Sequence, residues 1–318
     1  MIPTLNMRDI MSTIKKPARD FSSLEQSAGF QRRILGNYTI TALYDGIVAI
    51  NPEAFAGVTA DKRQAALQRQ LHPVTGEIDT SVNAFIVDTG SKIVLIDAGS
   101  GNKFGPTMGR LEGSIRASGY SPEDIDAVLI THLHPDHVGG ISDDNGNATY
   151  PNATVWVPKA DAEFWLDSAT TAKIPEIQHW FIDVAQNTTA PYIKTGRFQT
   201  FQNGDDLLNG LVKVIGLPGH TPGHSGFRIE SAGETILFWG DITHLPAVQL
   251  SHAEATIDLD IIPEKAVSSR EWALKETSST GIWIGAAHQA FPGIGRLRQD
   301  AEGYTWIASE YTYLTARG

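Results

Sequence analysis

The 318-residue chain contains no cysteine, so no disulfide braces it and any metal it holds must be bound through nitrogen or oxygen. No apolar run approaches the length needed to cross a bilayer. A basic stripe is also missing: the net charge is −11, which disfavours nucleic acid and anionic membrane surfaces as partners. No G-x-S-x-G elbow offers a serine nucleophile, and neither a short-period repeat nor a low-complexity segment is present. The first 35 residues have no secretory apolar region, because Lys15-Lys16-Pro17 is followed by polar residues. The chain as written is therefore expected in the cytoplasm, or in the periplasm if an export signal has been removed. With 41% hydrophobic residues it can build a sizeable core.

What is present is concentrated. His132, His134, Asp136 and His137 place four metal-capable side chains within six residues, directly behind the apolar segment Ala127-Val128-Leu129-Ile130, which reads as a buried strand. In an extended chain, residues two apart point the same way, so His132 and His134 can share one ion. Asp136 and His137 project differently and suit a second. A lone histidine is usually a surface or satisfied core residue. Packing gives no reason to crowd three imidazoles beside a carboxylate at a strand end. Three more strand-like runs end in the same manner. Val212 to Leu217 breaks at Pro218-Gly219 and delivers His220; Thr235 to Trp239 leads through Gly240 to Asp241; Gly281 to Gly285 leads through Ala286-Ala287 to His288.

The His-x-His-x-Asp-His run, with His220, Asp241 and His288 downstream, resembles the metallo-β-lactamase-fold hydrolase superfamily. Asp97 in Leu95-Ile96-Asp97-Ala98-Gly99 and the run Gly219-His220-Thr221-Pro222-Gly223-His224 match further motifs of it. More narrowly, Phe104-Gly105-Pro106-Thr107, Phe164-Trp165-Leu166, Ala247-Val248-Gln249 and Phe291-Pro292-Gly293-Ile294-Gly295 resemble the methyl parathion hydrolase group, itself close to quorum-quenching lactonases. The likeness runs from about Gly36 to Tyr311. It implies an α+β fold, a four-layer αββα sandwich, with residues 1–35 as an arm, residues 36–318 as one hydrolase domain, and a homodimer. It also implies two divalent ions, zinc by default with manganese, cobalt or iron accepted. His132, His134 and His220 would hold one, Asp136, His137 and His288 the other. Asp241 would bridge them, since a carboxylate has two oxygens. Two cations about 3.5–4 Å apart can hold a bridging water as hydroxide, which would attack a carbonyl or phosphoryl centre. Asp97 and His224 would support the ligands rather than bind metal.

On the substrate side, His244 follows Asp241 by three residues, where lactonases of the superfamily place a tyrosine and the methyl parathion hydrolase group an apolar residue. It is expected to face the pocket and bind an oxyanion or protonate a leaving group. Phe104, Trp165, Trp180, Phe181 and Phe291 lie in segments resembling the walls of that group's pocket. They suit a small, neutral, hydrophobic ester, lactone or phosphotriester. The preferred reading is a lactone or aryl-ester hydrolase with organophosphate triesterase activity. A dedicated organophosphate hydrolase stands second, a redox di-iron protein behind it. Asp260-Ile261-Ile262-Pro263 reads as a turn with no chemical role.

Local patterns add helices over residues 60–71, 106–117 and 158–166, and from Glu264 to Lys275. A further helix is expected to start at Ser121-Pro122-Glu123-Asp124. The core opens with a strand at Tyr38, and residues 84–87 and 92–96 form a hairpin.

Overall fold

The computed structural model describes residues 26–312 and 314. Residues 1–25 of the expected arm lie outside them. The first eight strands are Phe30–Leu35 (β1), Tyr38–Ile50 (β2), Phe55–Ala56 (β3), Ile78–Asp88 (β4), Ile93–Ile96 (β5), Ala127–Leu129 (β6), Thr154–Pro158 (β7) and Phe198–Phe201 (β8). The second eight are Asp206–Leu207 (β9), Val212–Gly216 (β10), Ser225–Ser231 (β11), Glu234–Phe238 (β12), Thr256–Ile257 (β13), Trp283–Gly285 (β14), Ile294–Asp300 (β15) and Gly303–Ala308 (β16). They form two seven-stranded sheets, ordered β1-β2-β4-β5-β6-β7-β8 and β16-β15-β14-β12-β11-β10-β9, with β3 and β13 as a separate pair.

Alternation of side chains along the strands produces the layers. Ile40, Ala42, Phe85, Val87, Val94 and Ile96 point into a seam where they meet Val212, Val214, Phe227, Ile229 and Phe238 of the second sheet. Their neighbours Leu43, Ala84, Ile86 and Leu95 point outward, against Ile115 of the helix Leu111–Ala117 and Phe181, Ile182 and Ala185 of the helix His179–Lys194. Leu237 and Ile284 cover the outer face of the second sheet with Ala273 and Leu274 of the helix Pro263–Thr280. Helix, sheet, sheet, helix is the four-layer αββα sandwich.

Topology gathers the functional ends. β5 and β6 are parallel, so Asp97 and the His132 run leave the first sheet at one edge. In the second sheet β12 and β14 are parallel, and β10 runs their way because β11 is antiparallel to both β10 and β12. His220, Asp241 and His288 therefore emerge together. The Ser225 N–H donates to Thr131 O and joins the two edges.

Several expectations need correction. Phe30–Leu35, read as arm, pairs with β2 from Phe30↔Leu43 to Leu35↔Tyr38, and Leu35 is fully buried; the domain starts before residue 36. The helix expected from Pro106 begins only at Leu111, because Gly109 takes φ +81° and the Asp45 carboxylate accepts the Leu111 N–H. The expected helix at Ser121 is a single 3₁₀ turn, Pro122–Asp124. Its capping box forms, but Ile125 is buried and draws the chain into β6. The helix His179–Lys194, with Pro191 inside it, was not expected at all.

Candidate metal centre

Three buried side chains, those of Asp97, Asp161 and His224, hold the loops that carry the cluster. Asp97, at φ +57°, leaves β5 in a left-handed conformation that aspartate tolerates better than most residues. Its carboxylate accepts from Thr131 N at 2.8 Å, Thr131 Oγ1 at 2.9 Å and His137 Nδ1 at 2.9 Å. Asp161 accepts from Leu133 N, between the first two histidines, and also from Thr221 Oγ1 and Gly223 N beside His220. One buried carboxylate thus ties both histidine loops together. His224 donates from Nδ1 to Leu217 O and accepts the Asp241 N–H at Nε2, 2.9 Å away, so it holds the backbone of Asp241.

Four imidazoles follow one rule: Nδ1 is pinned by oxygen and Nε2 points inward. The Nδ1 partners are Thr131 Oγ1 for His132, Asp97 Oδ2 for His137, Asp260 Oδ1 for His220 and Ser81 O for His288. Inside, His220 Nε2 lies 2.9 Å from His134 Nδ1 and 3.3 Å from Asp241 Oδ2, and His132 Nε2 lies 3.6 Å from the same oxygen. On the other side, His137 Nε2 is 3.1 Å from Asp241 Oδ1 and 3.5 Å from Asp136 Oδ2, with His288 Nε2 3.5 Å from Asp136 Oδ2. His132, His134 and His220 form one set of converging donor atoms, and Asp136, His137 and His288 another. The two sets share no residue, and Asp241 lies between them, with Oδ1 3.1 Å from His137 Nε2 and Oδ2 3.3 Å from His220 Nε2 and 3.2 Å from His288 Nε2.

These residues fit metal better than they fit one another. His132 Nε2, His137 Nε2 and Asp241 Oδ1 are buried without a hydrogen-bond partner. Such atoms are costly unless something between them is positive. Burial above all holds His132 and His134 well below the ordinary histidine range, which keeps them neutral as ligands must be. Burial also opposes charge on His220, but hydrogen bonds to Asp241 and Asp260 outweigh it and raise this ring to about 9. Asp241 resists burial too; His137, His288 and His132 hold it well below the carboxylate range. The cluster attracts positive charge from every side.

The profile of the Metallo-beta-lactamase superfamily matches residues 78–280, more than half of the chain. The chain belongs to that superfamily. Among solved structures, hydrolase AbOPH of the beta lactamase superfamily is 38% identical, with a TM-score of 0.85 over 91% of this chain and 100% of that one. AidC, a dizinc quorum-quenching lactonase in complex with a product, N-hexanoyl-L-homoserine, is 25% identical with a TM-score of 0.81, over 90% and 99%. The N-acyl homoserine lactonase AttM of Agrobacterium fabrum is 32% identical over 122 residues, 36% of this chain. The uncharacterized protein YobT of Bacillus subtilis is 30% identical over 155 residues, 49% of this chain. These matches span only 40% of AttM and 60% of YobT.

In this metallo-beta-lactamase fold the centre lies at the base of a cavity of about 650 Å³, reached by His134, Asp136, Asp241, His244 and His288. Its walls include Val48, Ile50, Phe104, Ile177, Phe181, Ile257 and Leu259. Of the expected wall residues, Phe104, Phe181 and His244 line it. Trp165 does not: it is fully buried, with its ring 5.2 Å from His134, and backs that ligand from behind. Trp180 packs edge-on against Phe104 at 5.4 Å and Phe181 at 4.7 Å, and faces a separate surface groove. Phe291 packs on Tyr44 at 5.8 Å, at the seam between the sheets. Trp165 and Trp180 thus back residues that do line the cavity, His134, Phe104 and Phe181, whereas Phe291 lies outside it.

His244 is buried, and its Nε2 lies 3.1 Å from Asp241 Oδ2. Neither ring nitrogen has a hydrogen-bond partner. Burial first, then His220, lowers its pKa to about 4, so the ring is neutral at pH 7. Asp161 and Asp260 were missed as functional residues. A signal existed for Asp260: a lone carboxylate inside the apolar run Leu259 to Ile262 needs a partner.

Proposed function

We propose that the protein is a metal-dependent hydrolase that opens lactones and cleaves aryl esters, and that it also hydrolyses organophosphate triesters. One observation carries this reading: two ligand sets with Asp241 between them sit at the base of a largely apolar cavity. A pair of divalent cations bound there, zinc first among those a nitrogen and oxygen donor set accepts, would polarise the scissile group and supply a nucleophile from water at neutral pH. The chain's own residues supply the rest. Phe104, Phe181, Ile257 and Leu259 take up an acyl or aryl group and exclude bulk water. Among the described residues no lysine or arginine lines the cavity, which favours neutral substrates over phosphate monoesters. His244, a neutral imidazole at the cavity base, offers an N–H to an oxyanion or to a departing alkoxide. The lactone product held by AidC supports ring opening as the first activity to test.

Catalytic efficiencies for acyl-homoserine lactones, dihydrocoumarin, aryl acetates and methyl paraoxon, on protein of measured metal content, test the reading. Lactones are expected to lead. Strong paraoxon turnover with no lactone opening would replace this reading by a dedicated organophosphate hydrolase. Inactivity of the dinuclear protein on all four would sink it. In the same panel His244→Ala is expected to slow alkyl lactones by about 10²-fold and aryl esters less, because a phenolate leaves without help. Equal rates in wild type and variant would remove His244 from the mechanism.

A further inference from the structure

Asp260 lies 40 positions from His220 and outside every motif, yet its Oδ1 is 3.0 Å from His220 Nδ1. Its side chain is fully buried. The second oxygen accepts the Ile257 N–H at 3.1 Å, so both oxygens are committed. The segment is clamped to the histidine loop by Ile261 N to His220 O and Ile262 N to Gly219 O. Behind it stands Arg270, which is 1% exposed and does not reach the cavity. Its Nε donates to Ile242 O at 2.7 Å, next to Asp241, and its Nη1 donates to Ala253 O and Ala255 O. Its Nη2 lies 3.9 Å from Asp260 Oδ2. One guanidinium thus connects the loop carrying Asp241 to the loop carrying Asp260.

We propose that Asp260 is a positioning residue that fixes the tautomer and direction of His220, and that Arg270 sets Asp260 in place against the Asp241 loop. With Asp260 accepting from Nδ1–H, the lone pair of His220 is confined to Nε2, the atom that converges with His134 and Asp241. The inference rests on the reading of the cluster as a metal centre. It gives each ligand set its own carboxylate behind one histidine: Asp97 behind His137, Asp260 behind His220.

The isosteric change Asp260→Asn discriminates. An asparagine has one acceptor for two donors: if its oxygen keeps the Ile257 N–H, its NH₂ faces His220 Nδ1 and favours the tautomer with hydrogen on Nε2. Zinc binding is titrated against a chromophoric chelator, and unfolding midpoints are measured with and without zinc. Wild type is expected to bind two ions. In the variant one of the two should bind about 10–100-fold more weakly, and the rise in midpoint on adding zinc should shrink. A merely structural role would lower the metal-free and zinc-loaded midpoints equally, leaving both affinities unchanged, and would overturn the proposal. Failure of wild type to bind two ions would instead overturn the reading beneath it. Arg270→Lys keeps the charge and loses the fork onto the carbonyls; it should weaken the same ion in the same direction. If Asp260→Asn does not fold, unchanged affinities in Arg270→Lys overturn the proposal in its place.

Discussion

At the scale of single residues, the centre is held by carboxylates that never face the cavity. Asp161 is the most exposed to test, since burial raises its pKa to about 6 even though Leu133 N, Thr221 Oγ1 and Gly223 N stabilise the charged form. Between about pH 4 and 6 the folded state therefore binds a proton that the unfolded chain has released. The sign follows: Asp161 lowers stability as pH rises through about 6, and this cost is relieved below that pH. For metal-free protein, the stability lost between pH 5 and 7.5 is expected to be smaller in Asp161→Asn by about 1 kcal/mol. Parallel denaturation curves for wild type and variant across that range would contradict it. The ligand residues were legible in sequence because His132, His134, Asp136 and His137 crowd into one turn of chain. Asp161 and Asp260 were not, because each acts on a loop far from it in sequence.

At the scale of elements, what matters is how each strand hands its chain to the site. Gly240 follows β12 at φ +56°, and a Cβ there would lie 2.5 Å from His224 Nε2, the atom that accepts the Asp241 N–H. Gly240→Ala is expected to cost about 1–2 kcal/mol for the left-handed backbone alone, before the clash, and to weaken zinc retention through Asp241. Urea midpoints and metal content after dialysis check this; a variant with wild-type values for both would refute it. Strand ends were readable because each apolar run stops shortly before a ligand, at Pro218-Gly219 for His220 and at Gly240 for Asp241. Helix limits were less so. The start at Leu111 depends on Asp45, 66 positions upstream, which accepts the Leu111 N–H. The helix His179–Lys194 contains Thr188, Thr189 and Pro191 and lacks a cap signal, and it forms because Phe181, Ile182 and Ala185 pack on the first sheet.

At the scale of the whole molecule, the layer order came from the family likeness, since strand alternation alone does not say which sheet meets which. The pocket was only half legible: Phe104 and Phe181 reach it, but rings such as Trp165 look the same in sequence whether they form a wall or back one. Ligands from both sheets make cation binding part of global stability. At free zinc of about 100 times the dissociation constant, each site adds about 2.7 kcal/mol. Chelation is expected to lower the melting temperature, and stoichiometric zinc to restore it; identical melting with and without chelator would refute the coupling. Of the six imidazole and carboxylate groups around Asp241, four ride on the first slab and two, with Asp241 itself, on the second, and the slabs touch through aliphatic contacts such as Ile40, Val94, Val214 and Ile229. The centre therefore acts as a vernier for the register of one slab on the other. A methyl group gained or lost deep between them, far from any ligand, is expected to change how firmly an ion is kept.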